Sequence, residues 1–432
     1  MPLVFHTMKK KKLFVKIIFV ALIGLLLVSL VAPALFSQSL SQPRKEMLLN
    51  GLKVLMWSDE KADKVTVSVR IHAGSAFDPQ GKEGLMQVLA DNVFPNESQK
   101  EFFKDDLGGS LEIVTNYDFI QINASSKPDG FLTMLETLST AVSNPTIDKE
   151  TTARLKIALI TKVKTLENDP GYVADQAVAK RLFGTFPYGR PQLGTEASLN
   201  AIDFADLLDA KARFLTADNA TLAITGNFDK ALAFRAVRRY FGSWLKSDKR
   251  VPSTFRQPDD PIGAVQTIVS PKAGVSAIRM AIRGVARSDK DLAAAMVFSN
   301  ILESRLNARA APASVFVRND VHSLPGSVTI GFSASKNDFG SGNGKVDALD
   351  LLTKTLAEPI TDSEVQVAKA VVQPAWSRRD QVAIWLDAET FKLSDANADA
   401  RIFDNISPAD VRSFAERIRR SPKASVVAMS AN

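Results

Sequence analysis

Two helix openings occur twice in this chain, in the same order. NPTIDKETTARLK (144–156) precedes AIDFADLLDAKARF (201–214), and EPITDSEVQVAKA (358–370) precedes NISPADVRSFAERI (405–418). In the first pair a proline leads into a polar cap, Asp148 or Thr361, and then into a helix; Glu364 completes a capping box with Thr361. In the second pair Asp203 or Ser407 caps the helix, and Pro408 suits its first turn. Strand patterns recur as well. Val65, Val67, Val69, Ile71 and Ala73 alternate with Thr66, Ser68, Arg70 and His72. Ile278, Met280 and Ile282 alternate with Arg279, Ala281 and Arg283, and a further alternating run carries Val328, Ile330, Phe332 and Ala334. A period of two with one apolar side predicts half-buried strands. The reading is an α+β chain of two duplicated domains, each a mostly antiparallel sheet with helices packed on it. The first spans 45–245 and the second 265–432. Residues 246–264 between them begin KSDKRVPSTFRQPDDP, polar and proline-bearing without periodicity, as in a linker.

Length and charge fit that plan. The 432 residues suffice for two or three domains, and 45% hydrophobic with 23% charged residues suits a globular protein. The net charge of +7 is local. Lys9, Lys10, Lys11, Lys12 and Lys16 lie in a 37-residue N-terminus without acids; the rest carries 49 basic against 47 acidic residues. A surface for nucleic acid is therefore not indicated. The same N-terminus continues into an apolar run from Ile17 to Phe36 and offers Ala32-Pro33-Ala34, small residues of the A-x-A cleavage pattern. Residues 1–37 read as a signal peptide or, uncleaved, as a single membrane anchor touching the inner membrane. Either way the bulk of the chain is expected outside the cytoplasm, in the periplasm of a bacterium. There is no cysteine, so disulfides and thiolate ligands are excluded.

The stretch EGLMQVLADNVF (83–94) reads as a helix, with Leu85, Val88, Leu89 and Asn92 at i, i+3, i+4, i+7. Gln87, Ala90 and Asp91 share another face at i, i+3, i+4. That spacing can aim two ligands and an acid at one metal ion, but here it carries an amide, a methyl and a carboxylate.

LNGLKVLMWSDEKADKVTVSVRIHAGSAFDPQGKEGL (49–85), GGSLEIVTNYDF (108–119), LENDPGYVADQAVAKRLFGTFPYGRPQLGT (166–195), ATLAITGNFD (220–229) and RRYFGSW (238–244) together resemble the pitrilysin/insulinase family of inverted-motif zinc peptidases. Phe186 stands where the family's H-P-Y-G-R-P loop has histidine. The second half is similar more weakly, through ILESRLNAR (301–309) and its strands. The resemblance implies an H-x-x-E-H zinc motif at Gln87, Ala90 and Asp91, with a distal carboxylate ligand near Thr161. None of these positions keeps its residue. The resemblance also implies an Arg and a Tyr in the C-terminal half that hold substrate. SRLNARAAPASVFVRND (304–320) offers Arg305, Arg309 and Phe316 but no phenol, and no tyrosine follows Tyr240. Arg309 is the candidate substrate contact.

Ligand count points the same way. Catalytic zinc takes about three protein ligands plus an open position. The chain has three histidines: His6 in the N-terminal segment, His72 expected as a solvated side chain on a strand's polar face, and His322 in the loop RNDVHSLPG. Asp91 alone does not hold catalytic zinc. No G-x-S-x-G or cysteine offers another nucleophile. The expectation is an inactive homologue: no cofactor in this chain, zinc in a partner with intact HxxEH, and a peptide substrate shared by the complex. A purely structural or binding protein of the same fold is the alternative, and an active enzyme with a rearranged site a lesser one.

Fusing residues 1–45 to a reporter that works only outside the cytoplasm should give signal. A silent fusion refutes the export reading, and N-terminal sequencing of the mature chain separates cleavage near Ala34 from a retained anchor.

Overall fold

A computed structural model describes residues 41–247, 255–272, 274–309, 313–335 and 344–429. They belong to one compact unit, Ser41–Asn432. The segment read as a signal peptide or membrane anchor (1–37) and part of the stretch read as a linker lie outside the described residues. No described helix is long and apolar enough to cross a membrane.

The first half builds strands β1 (Arg44–Met47), β2 (Lys53–Ser58), β3 (Val65–Ile71), β4 (Ser110–Thr115), β5 (Ile120–Ser126) and β6 (Ala220–Gly226). Its helices are α1 (Leu85–Val93), α2 (Glu97–Asp105), α3 (Phe131–Ser143), α4 (Lys149–Leu166), α5 (Pro170–Phe183), α6 (Glu196–Ala201), α7 (Phe204–Phe214) and α8 (Lys230–Phe241). The second half builds β7 (Gln266–Val269), β8 (Val275–Arg283), β9 (Ser314–Asp320), β10 (Ser327–Ser335) and β11 (Lys423–Met429). With them come α9 (Leu292–Arg309), α10 (Gly344–Ala357), α11 (Asp362–Ser377), α12 (Gln381–Thr390), α13 (Ala396–Ala400) and α14 (Pro408–Arg420).

The sheets share one topology. The first runs β1-β2-β6-β3-β5-β4 and the second β7-β11-β8-β10-β9. In both, one pair is parallel (β2 with β6, β7 with β11) and every other pair is antiparallel, with β1 added as an antiparallel edge strand on the first sheet. The caps read from the sequence form: Asp148 and Thr361 accept the N–H of Thr151 and Glu364, and Asp203 and Ser407 accept those of Asp206 and Asp410.

One face of each sheet packs on its own half. Val65, Val67, Val69 and Ile71 are fully buried against the first core, and Ile278, Met280 and Ile282 against the second. The opposite faces depart from expectation. Their middle strands are largely closed to solvent, because each half sends a helix across to cover the other half's sheet, while Thr66 and alternate residues of the edge strand β4 stay exposed. Helix α5, opened by the Asp169 cap and Pro170, lays Ala174 on Ala277 and Ala428, and Val178 and Leu182 on Ala281, Ala424 and Val426. Helix α12, capped by Asp380, returns to the first sheet, where Trp385 meets Trp57 at 6.4 Å between ring centroids. Alanines on β8 and β11 leave room for this close approach.

The buried arginines of the strands' polar faces anchor the exchange. Arg70 on β3 pairs with Asp387 of α12 at 2.8 Å and lies over the Phe119 ring at 4.0 Å. Arg279 on β8 pairs with Asp175 of α5 at 2.6 Å and lies over the Phe316 ring at 4.3 Å. Removing one member of a buried pair strands the other charge away from water and costs about 3–5 kcal/mol. Arg279→Met or Asp175→Leu alone should lower urea-derived stability by about that much, and the double variant by clearly less than the sum. Additive losses would show that the two charges do not depend on each other.

Candidate functional site

Helix α1 is held by two interlocked loops. Gly84, its N-cap, has φ +93° and no side chain to cap with. Asp78 caps from the preceding loop instead: its carboxylate accepts the N–H of Gly84 and of Met86, each at 2.8 Å, while its backbone carbonyl accepts from Arg190 at 2.7 Å. A Cβ at Gly84 would fall 2.7 Å from the Leu193 carbonyl, and one at Gly194 would fall 2.2 Å from that of Glu83. The GKEGL loop and the PYGRPQLGT loop therefore fit only as a pair, and Ser198 Oγ donates to the Glu83 carbonyl across them.

The scaffold thus presents the motif face as the spacing predicts, but with other chemistry. Gln87 and Asp91 are half-exposed and satisfy each other, Gln87 Nε2 donating to Asp91 Oδ1 at 2.9 Å. Ala90 is fully buried in the core. Burial raises the Asp91 carboxyl above its usual range, opposed by the Gln87 bond and by the charges of Lys162 and Lys100. Helix α4 packs on α1, but its Thr161 is exposed and its hydroxyl donates back to the Ile157 carbonyl at 2.9 Å. Zinc does not fit this donor set. One neutral amide is committed to the one carboxylate, the next position is a buried methyl, and the fourth is a hydroxyl turned onto its own helix. Among the described residues no group of three His, Cys, Asp or Glu side chains converges as a metal site.

Arg309 lies on the exposed end of α9. Its guanidinium forks onto Glu358, at 2.5 and 2.8 Å, so a substrate carbonyl would have to compete with a carboxylate. Its neighbour Arg305 is structural, binding Glu364 at 2.7 and 2.9 Å and the Pro359 carbonyl, and that pairing lowers the Glu364 carboxyl to about 2. Phe186 is buried against Phe183, Tyr188 and Phe255.

Both remaining histidines are tied into the contact between the halves. His72 is not solvated. Its ring nitrogens meet Thr390 Oγ1 of α12 at 3.0 Å and Thr221 Oγ1 of β6 at 2.9 Å, because the strand face it occupies is the one α12 covers. His322 Nδ1 contacts Asp118 Oδ2 at 2.8 Å, and the other oxygen of Asp118 accepts the Ser323 N–H. The His322 ring packs against Tyr188 and Tyr117, at 4.4 and 5.1 Å between centroids. Nothing in the sequence pairs Asp118 with His322, 204 positions apart; only the meeting of the β4–β5 and β9–β10 turns does so.

Two family descriptions match the chain: "Insulinase (Peptidase family M16)" over residues 53–196 and "Peptidase M16 inactive domain" over 201–372. Together they span most of it, and the chain belongs to the insulinase family of peptidases. A probable mitochondrial-processing peptidase subunit beta of Arabidopsis thaliana is 23% identical over 273 residues, 62% of this chain and 51% of that protein. The match thus spans about half the length of that relative. Among solved structures, a peptidase M16 inactive domain from Pseudomonas fluorescens superposes with a TM-score of 0.78 at 18% identity, covering 91% of this chain and 98% of that one. The periplasmic protease PqqL of Escherichia coli superposes with a TM-score of 0.70 at 16% identity, covering 90% of this chain but 47% of that one. At such identities the likeness is one of fold.

The half-buried His72 imidazole makes a pH prediction. Burial, reinforced by the charges of Lys392, Arg70 and Lys53, pushes His72 from 6.5 down to about 3. Between those values the unfolded chain binds a proton that the folded chain does not, so this group's contribution falls as pH drops through that window. Asp78 acts with the opposite sign. Burial raises it from 3.8 to about 7, so the folded chain keeps a proton there that the unfolded chain has released. The comparison with His72→Gln isolates the imidazole. The variant should lose less stability than the parent between neutral pH and pH about 5 in urea unfolding. An identical pH dependence would refute the assignment.

Proposed function

We propose that this chain is the non-catalytic subunit of a heteromeric periplasmic zinc peptidase. The observation that carries the reading is the state of α1. Its loops, cap and packing hold the motif helix in place, while Gln87, Ala90, Asp91 and Thr161 are satisfied without a metal. Such a chain supplies shape: a wall that positions peptide for a zinc site on a partner bearing HxxEH. Two likenesses support the pairing. One family description is that of an inactive domain, and nearly all of this chain corresponds to 47% of a longer periplasmic protease, as a half-shell would. The N-terminal lysines and apolar run support export.

Affinity purification from the native host should bring down a similar-sized chain with intact HxxEH. This chain alone should contain well under one zinc and show no chelator-sensitive cleavage. The pair should cleave peptides, lose activity when the partner's HxxEH is altered, and keep it with Asp91→Ala here. Removing this chain should abolish or strongly reduce cleavage. Stoichiometric zinc lost with Asp91→Ala would overturn the inactive reading. A partner equally active alone, or none with HxxEH, would overturn the subunit reading in favour of a structural or binding role.

A further inference from the structure

The exposed arginines of α14 face acids: Arg412 pairs with Asp362, Arg417 with Asp291 at 2.7 Å, and Arg420 with Glu416 at 2.8 Å. Helix α8 differs. Arg235, Arg238 and Arg239 lie on its exposed side and Lys246 just beyond its end, and none of the four pairs with an acid among the described residues. The helix dipole accounts for cations in the last turn, Arg238 and Arg239, but not for Arg235. The acids around them are committed elsewhere: Glu46 to Arg44 at 2.8 Å, Asp218 to the Ser247 N–H at 2.9 Å, and Asp229 to the Leu232 N–H at the start of the helix.

Beside these charges lie apolar side chains that the core does not take up. Leu49 is fully exposed, Leu245 is 78% exposed and Met47 68%. Asn50 gathers them, donating to the Phe241 carbonyl at 2.8 Å and to the Trp244 carbonyl at 2.9 Å. Strand β1, which ends in Met47, is an edge of the first sheet, and its Arg44 lies over the Phe234 ring of α8 at 5.6 Å. Strand β1 and the outer side of α8 thus form one surface, apolar at one end and basic along α8. Such a surface fits the interface of an anionic bilayer, where buried apolar area and attraction to headgroups add. The chain itself favours lipid over an acidic protein. Its apolar run ends at Phe36, eight residues before Arg44 opens β1, a reach of about 29 Å at most.

We propose that the β1–α8 edge is a membrane-docking face that rests on the headgroups of an anionic phospholipid bilayer. Met47, Leu49 and Leu245 enter the interface, and Arg235, Arg238, Arg239 and Lys246 meet the phosphates. The opposite edge of the sheet, β4, with α1 packed beside it, then points away from the lipid. The proposal rests on the export reading for the side of the membrane and does not use the subunit reading.

The chain has no cysteine, so a single one can carry a label. Ser243→Cys, exposed between α8 and Leu245, and Ile157→Cys, exposed on α4, are each labelled with bimane. The full chain is placed in vesicles of phosphatidylcholine and phosphatidylglycerol in equal parts, with a nitroxide on some of the headgroups. The label at position 243 should be quenched and the one at 157 should not. Arg235→Glu, Arg238→Glu and Arg239→Glu together should remove about half or more of the quenching at 243. High salt or phosphatidylcholine alone should do the same, because the attraction is one of charge. If the triple variant fails to fold, the salt and lipid series decide. If N-terminal sequencing shows residues 1–37 removed, the mature chain added to preformed vesicles should give the same pattern. The proposal fails if 243 is not quenched in anionic vesicles, which leaves the face to an acidic protein or to water. It fails equally if 157 is quenched as strongly, or if quenching at 243 survives charge reversal, salt and neutral lipid, which is nearness by tether alone. The reporter fusion tests export separately: a silent reporter with the quenching pattern intact keeps the docking face and removes only its place outside the cytoplasm.

Discussion

Two buried arginines, one in each sheet, govern how this molecule is put together. Arg70 and Arg279 each occupy the polar face of a strand near the middle of a sheet, and each finds its carboxylate on a helix from the other half. A guanidinium in that position is tolerable only when paired. Neither sheet can therefore keep its central strand satisfied without the neighbouring domain. Helices α5 and α12 are the price of that pairing and also its lids: they cover the faces that a free-standing domain would leave to water. The halves are thus folded through one another, and the His72 and His322 contacts sit along the same seam.

This arrangement explains how helix α1 keeps its place whichever residues stand at positions 87, 90 and 91. Helix α1 depends on Asp78, on the close approach at Gly84 and Gly194, and on Ser198, none of which is a ligand or a base. The same loop that grips α1 continues from the end of α5 through Phe186 and Tyr188, so the seam between the halves and the seat of α1 are one structure. Changes at Gln87, Ala90 and Asp91 fall on a face that carries little of this load. Substitutions in the GKEGL or PYGRP loops would disturb both.

Much of this was legible in the residues themselves. The capped helix openings at Asp148, Thr361, Asp203 and Ser407 are local: a side-chain oxygen reaches an N–H two or three residues on, and no distant partner is involved. The inward stripes of β3, β8 and β10 follow from alternation alone. The duplicated order of elements foretold two sheets of matching topology, and the spacing of Gln87, Ala90 and Asp91 put them on one face of a helix, with the sum of their chemistries already unsuited to zinc.

What alternation could not disclose is what covers a polar face. Thr66, Ser68, Arg70 and His72 look the same in sequence whether water or a helix lies over them, because period-two patterning reports only the contrast between the two sides of a strand. The occupant of the second side is α12, more than 300 residues away, and so His72, read as solvated, is a half-buried neutral bridge. Arg309 is likewise bound to Glu358 by the folding of α9 beside the loop after α10. The sequence by itself determined the elements, their caps, their inward faces and the placing of Gln87, Ala90 and Asp91 on one helix face, since each rests on neighbours within a turn or two. Only the tertiary structure decided which charges are buried and by whom they are paired, since burial is a property of surfaces brought together and not of the segments that bear them.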